Sequence, residues 1–196
     1  LREGFVTEGA IRAVGAAVDG GLYLTEAVVG GTNPEGIAVQ ARGLRTNGSI
    51  TAENRVDIAG GLWLEGAIVL GDVQLDGLHI TASDSDGTAL NAIGLQVGGA
   101  FRLPGLRAKG ALRLSDAVVG GSLSLRGARL DGKLDRFGNS LAADGVRVGR
   151  SVHLSEGFSA EGEVRLVGAS VDGQLSFAGA EPLPVLSLRG AHCAEL

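Results

Sequence analysis

The chain has 196 residues, 34 of them glycine, with 44% apolar but only 4% aromatic residues and a formal net charge of −5. So few bulky side chains favour a narrow core, irregularly spaced glycines with only 4 prolines exclude collagen, and the apolar content excludes a disordered linker. The negative charge argues against a generally basic nucleic-acid-binding protein. No apolar run approaches the roughly 18 residues of a transmembrane helix, and the single Cys193 excludes an internal disulfide.

A 51-residue repeat runs through the chain. Three sets of small residues show this spacing: Gly36/Gly87/Gly138, Gly43/Gly94/Gly145 and Ala41/Ala92/Ala143. Self-similarity at a fixed period predicts stacked units that each contact their neighbours. We therefore expect one domain over 1–196, with a partial repeat at 1–38 followed by super-repeats at about 39–89, 90–140 and 141–185.

Each super-repeat consists of triplets in which an apolar residue, any residue and a second apolar residue follow one another. In a short strand both apolar side chains of such a triplet lie on the same, inward face. The first super-repeat runs from Val39/Ala41 through Ile50/Ala52 and continues with Val56/Ile58, Leu62/Leu64, Ala67/Val69, Val73/Leu75 and Leu78/Ile80. The second contains Leu90/Ala92, Leu95/Val97, Phe101/Leu103, Leu106/Ala108, Leu112/Leu114, Ala117/Val119, Leu123/Leu125 and Ala128/Leu130. The third runs from Leu141/Ala143 to Leu175/Phe177. A weak ninth face falls at 83–87 in the first and at Leu134 in the second.

Nine faces in one 51-residue repeat predict the cross-section, because equivalent positions should return to the same side after whole coils. Three coils of three faces satisfy this condition. Four-sided coils do not satisfy it, because nine is not a multiple of four. We predict an all-β, triangular, parallel β-solenoid with about 17 residues per coil and about eleven coils. Parallel crossovers are nearly always right-handed, so we expect a right-handed coil. The two-residue alternation disfavours an amphipathic helical protein, and the face spacing disfavours a four-sided pentapeptide-type helix.

With three faces per coil, the middle residues of the triplets form outward columns, and one column is rich in arginine. Its candidate binding strip comprises Arg45, Trp63, His79, Arg113, Arg129, Arg147 and Arg165. Like charges stacked on consecutive coils are unfavourable, so one hypothesis is a strip that docks an anionic surface or partner. The alternative is that the arginine stems cover apolar sheet surface while their charged ends lean towards acidic corners at Asp131, Glu163 and Asp172.

No pattern predicts catalytic, cofactor-binding or metal-binding residues. Asp84–Gly87 resembles the start of a calcium loop, but Leu95 stands where such a loop needs Glu, so an ordinary turn is favoured. The three histidines show no metal or triad spacing. Paired glycines such as Gly98-Gly99 and Gly120-Gly121 fall between faces and are interpreted as corners that need positive φ. These observations favour a protein that is not an enzyme and needs no cofactor.

Two resemblances follow from the triangular coil and from the phrasing Gly162-Glu-Val-Arg-Leu-Val-Gly-Ala-Ser-Val171. The coil resembles that of bactofilins, bacterial cytoskeletal proteins, and this resemblance implies end-to-end polymers that form without nucleotide. The phrasing resembles solenoid repeats of actinobacterial proteins often labelled oxidoreductase or membrane-associated oxidoreductase. No cofactor motif accompanies that label in this chain.

The expected function is therefore a non-catalytic structural or scaffold solenoid that forms polymers or is part of a longer repeat protein. The chain starts in mid-repeat without a polar cap, and open coils favour self-association end to end. The first alternative is a binding module that docks an anionic surface through the arginine column. The second is a membrane-associated protein of the oxidoreductase-labelled kind. We expect no sequence-specific nucleic-acid binding, no transmembrane segment, and a cytoplasmic location, with membrane association as an alternative.

Overall fold

The computed structural model describes residues 4–132 and 134–196, and every regular element within these ranges is a β-strand. The strands are β1 (Val6–Thr7), β2 (Ile11–Arg12), β3 (Ala17–Val18), β4 (Leu22–Tyr23), β5 (Val28–Val29), β6 (Ile37–Gln40), β7 (Arg45–Thr46), β8 (Ile50–Ala52), β9 (Val56–Ile58), β10 (Gly61–Trp63), β11 (Ile68–Val69), β12 (Val73–Leu75), β13 (Leu78–Ile80), β14 (Thr88–Asn91), β15 (Gln96–Val97), β16 (Phe101–Arg102), β17 (Arg107–Lys109), β18 (Ala111–Arg113), β19 (Val118–Val119), β20 (Leu123–Ser124), β21 (Arg129–Asp131), β22 (Asn139–Ala142), β23 (Arg147–Val148), β24 (Val152–His153), β25 (Ser159–Ala160), β26 (Glu163–Arg165), β27 (Ser170–Ser176), β28 (Val185–Ser187) and β29 (His192–Glu195). The predicted all-β class is confirmed.

Four strands make one coil, because each strand from β1 to β23 pairs in parallel with the strand four places later in the chain. The first face stacks β1, β5, β9, β13, β17, β21 and β25, and the second stacks β2, β6, β10, β14, β18, β22, β26 and β28. The third runs from β3 to β27 and the fourth from β4 to β24, and both belong to one sheet because β27 pairs with strands of both faces. The result is a parallel β-solenoid, as predicted.

The predicted triangular cross-section is wrong, and so is the short coil that went with it. Val6 lies opposite Val28, and Val28 lies opposite Asp57, so the second coil contains more residues than the first. The coil from Asp57 to His79 is short again, and the coil from His79 to Arg107 is long. Short and long coils therefore alternate, and one 51-residue period spans two four-sided coils. The first face contains seven strands and the second eight, so the described chain makes between seven and eight coils rather than eleven.

The supposed ninth face is a loop that interrupts every second coil between the first and second faces. Asn33, Asp84 and Asp135 begin these loops and recur with the spacing of the repeat. Asp84 Oδ1 accepts hydrogen bonds from the backbone nitrogens of Asp86 and Thr88, each at 2.9 Å. Asn33 and Asp135 hold their loops in the same way. Each is a turn closed by a side chain, so one repeat contains eight strands and one loop instead of nine faces.

The inward assignments are correct even though the number of faces per coil is not. Every inward pair predicted between Leu90 and Leu130 is buried, and Phe101 and Phe158 are the largest of the fully buried side chains. Because side chains alternate across a strand, the apolar pattern specifies which residues face inward whatever the number of strands per coil. The core is accordingly a narrow column of Leu, Val, Ile and Ala.

Glycines serve two different purposes at the corners. Gly43, Gly94 and Gly145, which carry the repeat, have φ of 62°, 64° and 65° at the corner after the second face, where a side chain would be strained. The paired glycines do not have positive φ, contrary to expectation. A Cβ on Gly98 would clash with the carbonyl oxygen of Leu70, so that glycine is needed because successive coils approach closely.

Candidate functional site

The arginine column does not exist as predicted, because the observed coils are longer than the predicted ones and stack different positions. The seven strip residues lie on three faces: His79 and Arg129 on the first, Trp63, Arg113 and Arg165 on the second, and Arg45 and Arg147 on the third. Even on one face they are not all neighbours, since Ala142 lies between Arg113 and Arg165. The strip is therefore dispersed.

A different and shorter basic ladder occurs on the first face. His79 lies opposite Arg107, and Arg107 lies opposite Arg129, on three consecutive coils. Paired strands are about 4.8 Å apart, so these outward side chains are close enough for like charges to repel. Within the described residues neither Arg107 nor Arg129 has a carboxylate within ion-pair distance. Nearby, Lys109 is opposite Asp131 on the same two strands.

The N-terminal end of this ladder is neutralised by Asp57. Its carboxylate lies 3.0 Å from His79 Nδ1 and 2.9 Å from Arg55 Nε. An open groove of about 610 Å³ follows, lined by Arg55, Asp76, His79 and Arg107 among others. Arg107 is the first side chain of the ladder that has no ion pair within the described residues.

The fourth face carries a second group of basic side chains centred on Ser124. In register, Arg102, Ser124 and His153 occupy three consecutive coils. Arg126 follows Ser124 at the corner, where its carbonyl oxygen accepts a hydrogen bond from Gly105 N at 2.8 Å. A depression of about 310 Å³ results, lined by Arg102, Pro104, Ser122, Ser124, Arg126 and His153, which we call the Ser124 pocket.

The two groups adjoin at the corner formed by Pro104 and Gly105, because Pro104 lines the Ser124 pocket and Gly105 lines the groove beside His79. We call the combined area the basic surface, consisting of His79, Arg102, Arg107, Arg126, Arg129 and His153. Two of its members have carboxylate partners: His79 lies 3.0 Å from Asp57, and Arg126 Nη1 lies 3.2 Å from Glu156 Oε1. The surface is basic in a chain whose overall charge is negative.

The pKa of His153 is lowered by its surroundings. Its partial burial and the positive charge of Arg126 lower the pKa of the imidazole below its usual value, and Glu156 only partly opposes them. In the folded protein at neutral pH the imidazole is therefore mainly neutral, with one ring nitrogen available as donor and the other as acceptor.

On the second face two of the strip residues, Trp63 and Arg165, have internal partners. The Arg42 guanidinium stacks 4.2 Å from the centroid of the Trp63 ring, and Trp63 Nε1 donates to Asp84 Oδ2 at 3.1 Å. Arg165 Nε lies 2.6 Å from Asp144 Oδ2, and this bond raises the pKa of Arg165. For Trp63 and Arg165 the alternative interpretation, in which strip side chains are held by neighbours, fits better than a free binding strip.

The remaining candidate features of the sequence are the segment Asp84–Gly87, a metal site, Cys193 and a membrane-spanning helix. Asp84–Gly87 is an ordinary turn, as expected, and the described residues contain no cluster of His, Cys, Asp and Glu suited to a metal ion. Cys193 is an exposed residue of β29. Among residues 4–132 and 134–196 no helix has the length and apolar character needed to span a membrane.

Sequence reasoning missed the basic surface because it assumed the wrong stacking. In the three-sided arrangement Arg102 and Arg107, the middle residues of Phe101/Leu103 and Leu106/Ala108, fall outside the arginine column, and Arg126 is not the middle residue of any triplet. The signal that could have corrected this is the recurrence of Asn33, Asp84 and Asp135 with the repeat, each followed by Gly three positions later. That pattern is typical of a turn rather than a strand.

Comparison of the chain with protein-family models, curated proteins and solved structures gives no match. The resemblance to bactofilins is supported as far as the parallel β-solenoid, but the triangular coil on which it rested is not found in the described part of the chain.

The lowered pKa of His153 predicts a dependence of stability on pH. Between that pKa and the value of about 6.5 in the unfolded chain, the unfolded protein binds more protons than the folded one. The free energy of unfolding should therefore fall as pH decreases through this window, and the loss should be complete below the folded pKa. Urea unfolding at pH 8, 6.5 and 5 should show a smaller loss in His153→Gln than in the wild type.

His192→Gln, which removes an exposed imidazole of β29, is the matched control and should retain the wild-type dependence. Identical pH dependence in wild type and His153→Gln would contradict the assignment.

Proposed function

We propose that the chain is a non-catalytic structural scaffold, a rigid β-solenoid that displays its outward side chains in ladders. The observation that carries this proposal is the uninterrupted parallel pairing along each face, for example from β1 to β25 on the first. Each added coil buries apolar side chains and pairs backbone groups with the previous coil, which is the way repeat proteins gain stability. Such an architecture extends by adding coils and keeps its surface spacing constant.

End-to-end stacking is the form of self-association that this architecture supports. On the first coil the inward Val18 and Leu22 are only half-buried, whereas Thr46 and Ile50, their register partners on the second coil, are buried. An apolar cavity of about 200 Å³ lies within these coils. Within the described residues β3 and β4 each have a strand partner on one side, and a coil from a second copy would cover the half-buried side chains and pair with the other side.

Sedimentation velocity over a wide range of protein concentration tests this self-association. The wild type should form larger species as concentration rises. Val18→Glu with Leu22→Glu should reduce association by placing carboxylates where the coils would meet. Val6→Glu with Tyr23→Glu is the matched control, since these side chains of the same coil are 66% and 60% exposed and point outward.

A wild-type protein that stays monomeric at the highest concentration would contradict end-to-end stacking. Circular dichroism should show that all variants keep their β-structure.

A second candidate function is the docking of an anionic surface, and the observation that favours it is the basic surface. Arg107 and Arg129 stack without ion pairs in the described structure, so an anionic partner would relieve their repulsion. We propose that this area replaces the dispersed arginine column as the docking region. An anionic membrane leaflet is the partner we propose, because the sequence analysis expects a cytoplasmic location and such a leaflet is negatively charged.

Retention on vesicles containing anionic lipid tests the docking. Wild-type retention should decrease as salt is raised, because exposed charges are screened. Arg107→Glu with Arg129→Glu should abolish it. Arg45→Glu with Arg147→Glu, which makes the same charge change on the third face, should largely preserve it. Equal retention of both double variants, or wild-type retention on neutral vesicles, would contradict the proposal.

A further inference from the structure

The Ser124 pocket is a depression because a small side chain stands between larger ones. On the fourth face the outward ladder runs Gln74, Arg102, Ser124, His153 and Ser176 on consecutive coils. Ser124 is 8% exposed and lies at the floor, while Arg102 and Arg126 rise beside it as exposed side chains. The cavity of about 310 Å³ therefore has a polar floor and basic walls.

The pocket presents mainly hydrogen-bond donors. Arg102 has no ion pair within the described part of the chain, and the Ser124 hydroxyl has no hydrogen-bond partner there. Ser122 Oγ accepts only a long 3.5 Å contact from Ser151 N, so its hydroxyl hydrogen can point into the pocket. His153 adds a ring nitrogen, and Arg126 adds a guanidinium.

The carboxylates around the pocket leave this character intact. Glu156 pairs with Arg126 at 3.2 Å, and both of these side chains are about half exposed. On the other side of Arg102, Asp72 Oδ1 accepts a hydrogen bond from Ala100 N at 2.7 Å. Asp76 Oδ2 accepts one from Gln74 Nε2 at 3.1 Å. Two arginines, Arg102 and Arg126, thus line the pocket. The carboxylate of Glu156 forms an ion pair with Arg126 and not with Arg102.

We infer that the Ser124 pocket binds a phosphate group. Its donors come from opposite walls and from the floor, an arrangement that can reach several oxygens of a tetrahedral oxyanion, whereas a planar carboxylate offers two. Arginine is the side chain best suited to such oxyanions, and serine hydroxyls complete the coordination. Filling the floor should remove the site without changing the charge of the surface.

Phosphate binding should be coupled to the protonation of His153. Partial burial and the neighbouring guanidinium of Arg126 disfavour the imidazolium in the empty pocket, and Glu156 only partly opposes them. A bound phosphate dianion would reverse that effect and raise the pKa of His153, since an opposite charge nearby favours the charged form. By linkage, binding should strengthen as pH falls until phosphate itself becomes protonated.

This inference deepens the docking function proposed above and rests on it for its physiological meaning, because the phosphate would belong to the anionic surface. Inorganic phosphate nevertheless tests the pocket by itself. The docking could involve only the ladder of Arg107 and Arg129 on the first face, so the two proposals can fail separately.

NMR titration with inorganic phosphate at constant ionic strength is the direct test. Phosphate should cause saturable shifts at the amides of Ser122 and Ser124 and raise the pKa of the His153 ring, and acetate should not. Arg102→Gln should weaken binding by about tenfold or more, the effect of losing a charged hydrogen bond. Ser124→Leu should abolish it by filling the floor, and Arg45→Gln on the third face should leave it unchanged.

Equal shifts with acetate and phosphate, or full binding by Ser124→Leu, would overturn the inference. If Ser124→Leu fails to fold, Arg102→Gln still tests the inference because Arg102 is an exposed side chain. Unchanged phosphate binding by Arg102→Gln would also overturn the inference. Vesicles that carry phosphate headgroups separate the two proposals. Retention that survives Ser124→Leu while phosphate shifts never appear contradicts the pocket alone, and saturable phosphate binding without vesicle retention contradicts the docking alone.

Discussion

Main-chain hydrogen bonds between successive coils are the interaction on which the rest of the structure depends. Along the fourth face Phe101 N donates to the carbonyl oxygen of Ser122 and Leu103 N to that of Ser124, each at 2.9 Å. Such bonds form only if every coil returns to register with its neighbour, because a one-residue slip would turn the apolar side chains outward. Extra residues must therefore leave the coil as a loop. On alternate coils the side chains of Asn33, Asp84 and Asp135 close such loops with hydrogen bonds to the backbone.

The same register converts sequence into surface chemistry. Once coils are in register, any outward residue stands about 4.8 Å from its partner on the next coil, so a ladder of charge needs only one suitable residue per coil. His79, Arg107 and Arg129 form such a ladder on one face, and the small Ser124 between Arg102 and His153 forms a pocket on another. The scaffold and the candidate binding region thus come from one constraint.

The sequence was sufficient to predict the inward residues and the parallel β-solenoid, because burial follows the two-residue alternation of single strands. Leu112 and Leu114, for instance, are buried as expected. It was not sufficient to predict which strands pair, since that depends on the number of faces per coil. Counting the 83–87 segment as a strand made nine faces and favoured three-sided coils. Recognising Asp84 as the head of a turn leaves eight, and eight strands per repeat make two four-sided coils.

This miscount had a direct consequence for the site. Residues one predicted coil apart, such as Arg113 and Arg129, were expected to be neighbours, but they lie on the second and first faces. Residues one observed coil apart, such as Arg107 and Arg129, are the true neighbours. The residue types of the candidate region were visible in the sequence, whereas their proximity depended on the register.

Cysteine cross-linking of outward positions tests this register most directly. In a Cys193→Ser background, Arg107→Cys with Arg129→Cys places two thiols on paired strands, at a separation that a disulfide can span. Mild oxidation of dilute protein, followed by peptide mapping without reduction, should find an intramolecular disulfide in that variant and none in Arg113→Cys with Arg129→Cys. A disulfide in the second pair and none in the first would contradict the four-sided coil and restore the three-sided one.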